Sequence, residues 1–171
     1  MRIELGEWCV RSLVAGDAES ITKYANNRNI SLNLRDRFPY PYTRADAEGF
    51  IAAAWAQRPE TDFAIASRSE AIGGIGFHPQ ADVHRLTAEI GYWLGEPFWG
   101  RGIATRAVRA VTAWAFATTS LERLYACVFA TNPASARVLS NAGYQFEGRM
   151  RRAVIKDGRI LDQLIYAALR P

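Results

Sequence analysis

The residues that decide the fold of this chain are EIGYWLGEPFWGRGIAT, at positions 89–105. The first six have the composition of a β-strand, and apolar residues recur at helical spacing from position 103 to position 114. A glycine-containing loop therefore joins a strand to an amphipathic helix. Glycine lets a backbone approach a ligand closely, and the free N–H groups and dipole of a first helical turn favour an anion. The stretch predicts a phosphate-binding loop, to which Arg101 adds positive charge.

The same glycines have a second interpretation, in which they only make a tight connection between strand and helix. The loop is not a P-loop, because no Gly-Lys-Ser or Gly-Lys-Thr follows, and it lacks the third glycine of a Rossmann fingerprint. Another glycine-containing run, at residues 73–76, fails the same tests. That run predicts a strand with bulges.

Periodicity in the rest of the chain predicts one α/β (α+β) domain, with a mixed sheet flanked by helices. The expected strands occupy residues 2–5, 8–14, 63–67, 72–77, 85–94 and 123–130. The expected helices occupy residues 17–27, 43–58, 100–118 and 132–143, with N-caps at Asp17, Thr43 and Asn132. Asp157-Gly158 predicts a closing β-hairpin. Residues 26–42 have the composition of an irregular segment that lines a pocket.

Composition narrows the class of protein. The 171 residues are 49% hydrophobic, which is enough to build a core. Apolar runs such as residues 110–117 fall short of the ~20 residues that a membrane span needs, so we expect a cytoplasmic protein. Cys9 and Cys127 are then expected to be buried thiols rather than a disulfide. The net charge of +4 comes almost entirely from arginine, which suits a polyanionic ligand, but the arginines are too dispersed to favour nucleic acid.

Glu89 is the candidate catalytic residue on the strand before the loop. Apolar and polar residues alternate from position 85 to position 92, which places Glu89 on the polar face of this strand. A carboxylate in that position can act as a general base. The alternative is a solvated carboxylate, or one paired with Arg85 two positions away on the same face.

Several of these motifs, taken together and in order, resemble the GNAT superfamily of N-acetyltransferases. They are the stretch at 89–105, Asn-Pro-Ala-Ser at 132–135, and Gly-Tyr at 143–144. Phe-Pro-Tyr-Pro-Tyr-Thr at 38–43 and Lys-Asp-Gly-Arg at 156–159 are similar to the RimJ/RimL-like branch, whose members acetylate ribosomal proteins. The resemblance implies a single N-acetyltransferase domain over residues 1–171, built on a splayed, mostly antiparallel sheet.

The resemblance also implies acetyl-CoA as cosubstrate, with its pantetheine arm between the strand ending near Leu94 and the next strand. Pantetheine would pair with backbone at residues 92–94, and the pyrophosphate would lie on residues 99–105. The implied binding residues are Tyr92, Trp93, Leu94, Trp99, Gly100, Arg101, Gly102, Ile103, Ala104, Thr105, Asn132 and Ser135. Helix capping is an equally good interpretation of Asn132.

Acetyl transfer requires an amine to attack a thioester, so a base, an oxyanion-stabilising group and an acid are expected. Glu89 is the candidate base, acting through water, and Ser135 is the candidate acid. Many GNAT enzymes place a tyrosine acid seven residues after the asparagine, where this chain has Leu139. The first position of the family's Gln/Arg-x-x-Gly-x-Gly/Ala loop is Trp99, so phosphate binding should depend on backbone N–H groups and Arg101.

A peptide or protein N-terminus is the favoured acceptor, because an α-amine has a pKa of ~7.7–8.0 and a lysine ~10.4. The alternatives are a small-molecule amine, meaning an amino acid, an aminoglycoside or a polyamine, and a non-catalytic acyl-CoA-binding sensor. No metal is expected, since His78 and His84 have no ligand-like spacing. We expect no membrane or nucleic-acid partner, and exposed aromatic residues make a homodimer compatible with the sequence.

Overall fold

A computed structural model describes all residues from 1 to 171. The strands are β1 (Arg2–Glu4), β2 (Cys9–Ser12), β3 (Asp62–Ala66), β4 (Ala71–Pro79), β5 (Thr87–Leu94), β6 (Arg123–Phe129), β7 (Gln145–Lys156) and β8 (Arg159–Leu169). The helices are α1 (Asp17–Ala25), α2 (Arg28–Ser31), α3 (Arg44–Ala56), α4 (Ile103–Thr118) and α5 (Pro133–Asn141). Two 3₁₀ turns, Asp82–His84 and Glu96–Phe98, flank β5.

The strands form one eight-stranded sheet in the order β1-β2-β3-β4-β5-β6-β8-β7. Every pair is antiparallel except β5 and β6, which are parallel. The parallel pairing covers only residues 87–89 of β5 and residues 123–125 of β6. Beyond Glu89 the two strands separate, while β5 stays paired with β4 as far as Leu94. The mixed, mostly antiparallel, splayed sheet that the sequence predicts is confirmed.

The core is divided into two apolar clusters that hold helices against the sheet. The larger cluster packs α4 on the central strands, with Val108, Val111 and Leu124 fully buried. The smaller cluster packs α1 and α3 against β3 and β4 through residues such as Ile21 and Ile51. Apolar burial of this kind stabilises a domain by roughly 25 cal/mol per Å². It also fixes the start of α4 beside the end of β5.

Most predicted element ends are confirmed within two or three residues. Thr43 caps α3 in a capping box, since its hydroxyl accepts from the Asp46 N–H while the Asp46 carboxylate accepts from the Thr43 N–H. Helix α5 ends in a Schellman motif at Gly143, in which the Tyr144 N–H donates to the Leu139 carbonyl at 3.0 Å. The strand at 73–76 belongs to β4, and a register shift against β3 leaves Ile72 as the bulged residue.

Two predictions about buried polar groups are corrected. Asp17 does not cap α1; the helix begins at Asp17, and the capping position is Gly16. The Asp17 carboxylate instead accepts both arms of the Arg11 guanidinium, at 2.8 and 2.6 Å, and a charge-assisted pair of this geometry is stronger than a neutral cap. Cys9 is buried as expected, but Cys127 is only partly buried. The helices are all too short or too polar to cross a membrane.

Substitution of glycine by alanine should have opposite effects on stability at Gly73, where β4 lies close to β5, and at Gly49 in α3. A Cβ at Gly73 would lie 2.4 Å from the Trp93 carbonyl oxygen, whereas a Cβ at Gly49, on the exposed side of α3, would meet nothing within 4 Å. Gly73→Ala should therefore lower the free energy of unfolding by about 1–3 kcal/mol. Gly49→Ala should raise it by up to ~1 kcal/mol, because alanine is the better helix former.

Urea denaturation of the two variants and the wild type checks both signs. A Gly73→Ala protein as stable as the wild type would show that β4 and β5 are not packed this closely.

Candidate active site

The loop between β5 and α4 presents free backbone donors to solvent. Gly100 and Gly102 take φ values of +75° and +70°, which glycine adopts at no steric cost. Gly102 caps α4 without a side-chain hydrogen bond, and the first turn of α4 contains no acidic residue. The backbone N–H groups of residues 100–105 donate to no backbone carbonyl. A loop with free N–H donors at a helix start has the geometry suited to an anion, and the anion site itself stays a prediction.

Trp99 fastens this loop to the end of β5. Its indole N–H donates to the Leu94 carbonyl at 2.7 Å, although the side chain is nearly half exposed. Arg101 is exposed and its guanidinium lies 5.9 Å from the centre of the Phe98 ring. The residue that departs from the GNAT loop pattern therefore has a structural role of its own.

The gap between β5 and β6 is lined by backbone groups that no neighbouring strand pairs with. The Gly95 N–H donates to the Ile72 carbonyl, so these two residues are a hydrogen-bonded pair of the β4–β5 ladder. Hydrogen-bonded and non-hydrogen-bonded pairs alternate along an antiparallel ladder. Tyr92 and Leu94 therefore direct their N–H and C=O groups away from β4 and toward β6. Trp93 directs its own toward Gly74 of β4. Of the three backbone positions that the resemblance implies for pantetheine, only Tyr92 and Leu94 face the gap.

The β6 side of the gap follows from the same alternation. Ala130 donates to the Asp162 carbonyl, so the odd-numbered residues of β6 turn their backbone groups away from β8. The backbone groups of Cys127 and Phe129 thus face β5 at positions where no β5 residue pairs with them, although the Phe129 carbonyl accepts from the Asn132 N–H at 2.8 Å. The two strand edges together offer an extended ligand donors and acceptors on both sides.

Ser135 lies in the first turn of α5 and is hydrogen-bonded to a tyrosine of β5. The Ser135 Oγ and the Tyr92 hydroxyl are 2.8 Å apart. Asn132 is confirmed as the helix cap, since its Oδ1 accepts from the Ser135 N–H at 3.1 Å. Burial raises the pKa of Tyr92, and the Ser135 hydrogen bond only partly opposes that rise. Tyr92 therefore remains a protonated donor at neutral pH. Leu139 is fully buried and offers no acid group.

Glu89 lies on the opposite face of the sheet from Ser135. Its side chain is 18% exposed and forms an ion pair with Arg35, from the loop that follows α2. The predicted alternative of an arginine-paired carboxylate is thus present, but the partner is Arg35 and not Arg85. Neighbouring Gly91 is exposed, and a Cβ there would meet nothing within 4 Å. Open space therefore adjoins the carboxylate on this face.

Two β6 side chains share the face of Glu89. Glu89 is directly opposite Tyr125, and Cys127 follows two residues later. Burial and the Glu89 charge raise the pKa of both the Tyr125 phenol and the Cys127 thiol. Both groups are therefore neutral near pH 7, and Glu89 is the group among the three that is suited to accept a proton.

A cavity of about 290 Å³ adjoins this face. Its lining includes Arg35, Asp36, Phe129, Lys156 and Gln163. A larger cavity of about 430 Å³ lies at the start of α1, and none of its lining residues belongs to β5, α4 or α5. The smaller cavity is therefore the one connected with the candidate chemistry.

Several of these groups are not evident from the sequence. The sequence assigns Tyr92 a role only through its backbone, and it gives no sign of the hydroxyl's partner. Arg35 and Asp36 carry no signal beyond composition, and Lys156 enters only as part of the Lys-Asp-Gly-Arg motif. The one available clue was the position of Tyr92 on the apolar face of β5, because a buried tyrosine hydroxyl normally finds a hydrogen-bond partner.

Comparison with known proteins assigns the class. The chain belongs to the GNAT family of acetyltransferase domains, whose profile matches residues 8–145. The uncharacterized N-acetyltransferase YoaA of Bacillus subtilis is 38% identical over 102 residues, which are 60% of this chain and 57% of YoaA. The ribosomal-protein-serine acetyltransferase of Escherichia coli is 32% identical over 107 residues, 63% of this chain and 59% of that protein. The chain thus spans little more than half the length of these curated relatives.

Solved structures support the fold over nearly the whole chain. RimL, a ribosomal L7/L12 alpha-N-protein acetyltransferase solved with coenzyme A, superposes with a TM-score of 0.86. The match covers 99% of this chain and 98% of RimL at 20% sequence identity. Identity this low supports the shared fold and leaves the acceptor undetermined.

The buried tyrosines predict a loss of stability at alkaline pH. Burial raises the pKa of Tyr144 to about 12 and also raises that of Tyr92. The unfolded chain releases these protons near pH ~10 while the folded protein retains them. This contribution to stability is complete below pH ~10 and is lost as pH rises, at up to ~1.4 kcal/mol per pH unit for each tyrosine.

Urea unfolding at pH 9, 10 and 11 measures the slope, and Tyr144→Phe should make it shallower. A slope that Tyr144→Phe leaves unchanged would contradict the assignment.

Proposed function

We propose that this protein transfers the acetyl group of acetyl-CoA to a primary amine, most readily the α-amine of a peptide or protein N-terminus. One observation carries the proposal: a loop with free backbone N–H groups lies at the end of a gap between two strands, and the two faces of the sheet at that gap carry Glu89 and the Ser135–Tyr92 pair. The membership in the GNAT family supports the same chemistry.

The residues present fit acetyl-CoA. The free N–H groups of residues 100–105 and the nearby Arg101 suit a pyrophosphate. An extended arm with amide groups would find partners in the backbone of Tyr92 and the N–H of Leu94, while the Leu94 carbonyl is taken by Trp99. The Asn132 amide, whose oxygen caps α5, has its NH₂ group free for the same arm. The thioester would then lie in the gap.

The two faces of the gap divide the proton transfers. The amine nitrogen attacks the thioester carbon from the face of Glu89, and the new C–N bond forms as the C–S bond breaks. Glu89, through a water molecule, accepts the proton that the amine loses. The departing sulfur receives a proton from the Ser135 hydroxyl on the other face. Tyr92 supports this step because its hydroxyl, protonated at neutral pH and 2.8 Å from Ser135 Oγ, can return a proton to the serine and recover its own from solvent.

The α-amine is favoured because its pKa is already near neutral, so a single carboxylate base can deprotonate it at a lower cost in free energy. Removing the proton from a lysine costs roughly 3.5 kcal/mol more at equilibrium. The E. coli relative, which is named for a ribosomal protein, supports a protein acceptor. A small-molecule amine is the second candidate for the same site, and a non-catalytic acyl-CoA sensor would bind the cosubstrate without transfer.

Acetyl-CoA should raise the melting temperature of the protein. At about 100 times its dissociation constant a ligand stabilises a fold by ~2.7 kcal/mol, which for a chain of this size is roughly 5–10 °C. Arg101→Glu should weaken binding by roughly threefold to tenfold, because it reverses a charge beside the helix start. Arg58→Glu, an exposed charge reversal after α3, should leave the shift unchanged.

No shift at millimolar acetyl-CoA would refute both the enzyme and the sensor. Equal effects of the two charge reversals would place the anion elsewhere.

Isosteric changes at the two proton-transfer residues test the chemistry. Glu89→Gln should lower kcat/KM for a peptide acceptor by about 10²–10⁴-fold, because it removes the base. Ser135→Ala should lower kcat by a smaller factor, since water can protonate a thiolate. Glu48→Gln is the matched control, as Glu48 pairs only with Arg44 on the exposed side of α3.

Thiol release from acetyl-CoA gives the rates, and the acetyl-CoA melting shift shows that each variant still binds. Full activity in Glu89→Gln would exclude Glu89 as base. A melting shift without transfer to any amine would favour the sensor.

A further inference from the structure

The cavity beside Glu89 contains a polar group with no partner in the protein. Gln163 of β8 is 92% buried, because only 8% of its surface is exposed, and it lines the cavity of about 290 Å³. Its side-chain amide makes no hydrogen bond to the chain, while no fully enclosed polar atom is left unsatisfied. The amide therefore faces the cavity. Buried amides are normally hydrogen-bonded, so this group indicates a polar occupant.

Two adjacent residues of the loop after α2 put opposite charges into this region. The Arg35 guanidinium pairs with Glu89, and the Asp36 carboxylate lies 2.7 Å from Lys156 Nζ. Glu89 is the proposed base, so the guanidinium occupies the place where a protonated amine and its bridging water would lie. The Asp36 carboxylate likewise occupies the place beside Lys156 where an anionic group of the acceptor would bind. The loop thus places a cation and an anion at two fixed points of the cavity.

The burial of the two Lys156 partners is very unequal. The Lys156 side chain is 7% exposed, whereas the Asp36 side chain is 81% exposed. A lysine buried to this degree needs an anion, since an unpaired buried charge is costly. An exposed aspartate is held weakly, because water and salt compete for it. Another carboxylate can therefore replace Asp36 at Lys156 at little cost.

We propose that Arg35 and Asp36 act as an internal mimic of the acceptor, and that the acceptor carries a carboxylate close to its amine. The amine replaces Arg35 at Glu89, the carboxylate replaces Asp36 at Lys156, and the Gln163 amide binds a polar group between them. This inference rests on the proposed function. It makes Lys156 a specificity-determining residue, and it excludes polyamines, which carry no carboxylate for that lysine.

The chemistry has two sources, an acidic residue near a peptide N-terminus or the α-carboxylate of an amino acid. The test therefore uses two matched pairs of acceptors with acetyl-CoA. One pair is a free-amine, C-terminally amidated peptide with Glu or Gln as its third residue. The other pair is serine and serinamide. Thiol release gives kcat/KM for each acceptor with the wild type, Lys156→Gln, Asp36→Asn and Lys23→Gln.

In the wild type the carboxylate member of at least one pair should react about tenfold faster or more, as a charge-assisted hydrogen bond implies. Lys156→Gln should bring that ratio close to one. Asp36→Asn removes the competing anion and should raise kcat/KM for the carboxylate acceptor only. Lys23→Gln makes the same charge change on an exposed face of α1 and should keep the wild-type ratio.

Ratios near one in the wild type for both pairs overturn the inference and leave the proposed function intact. A Lys156→Gln variant that slows every acceptor equally and keeps the wild-type ratio also overturns it, since Lys156 then has only a structural role. Asp36→Asn keeps the test decisive if Lys156→Gln does not fold, because Asp36 is exposed. Transfer to no acceptor at all overturns the proposed function and this inference together.

Discussion

The parallel contact between β5 and β6 is the constraint on which the rest of this structure depends. The strands pair over three residues, Thr87–Glu89 with Arg123–Tyr125, and then diverge. Each strand keeps its other neighbour, so the divergence leaves main-chain donors and acceptors facing an empty interval. Backbone N–H and C=O groups in folded proteins are normally hydrogen-bonded. A ligand between β5 and β6 can supply the hydrogen-bond partners that the two strands do not give each other there.

The helices around the gap follow from the same arrangement. Because α4 packs on the central strands, its N-terminus and the free N–H groups of residues 100–105 come to lie near the end of β5. Helix α5 follows β6 directly and brings Ser135 to Tyr92. The proposed acid, Ser135, and the proposed base, Glu89, thus belong to different faces of one sheet. An acyl group held between them can be attacked on one side and released on the other.

Sequence reasoning succeeded where the determining interactions are local. The capping box at Thr43, the cap at Asn132 and the turn at Asp157-Gly158 each involve residues within a few positions of one another. It was wrong at Asp17, because the Arg11 side chain of the preceding strand took the carboxylate. The fold as a whole was predicted from the GNAT resemblance, since no periodicity encodes the separation of two strands.

Only the part of the candidate site that depends on local sequence patterns could be predicted. Glu89 could be placed on a strand face from alternation alone, but its partner Arg35 lies 54 positions earlier in the chain. Lys156 and Asp36 are 120 positions apart. Ion pairs over such separations leave no spacing pattern, and only the folded chain brings them together. The charged pairs of the proposed acceptor site are therefore the part of the site that could not be predicted from a single sequence.

In the proposed function the loop at 100–105 binds its ligand through main-chain N–H groups, which every residue but proline possesses. Its ligand is thus insulated from most single-residue changes, as long as the two glycine bends persist. Trp99 illustrates the latitude: a side chain foreign to the family pattern occupies the first position and has become a brace for Leu94. Substitutions can therefore change the outward side chains of such a loop without changing which cosubstrate it binds. Selection for a different acceptor would act on residues of the other face of the sheet.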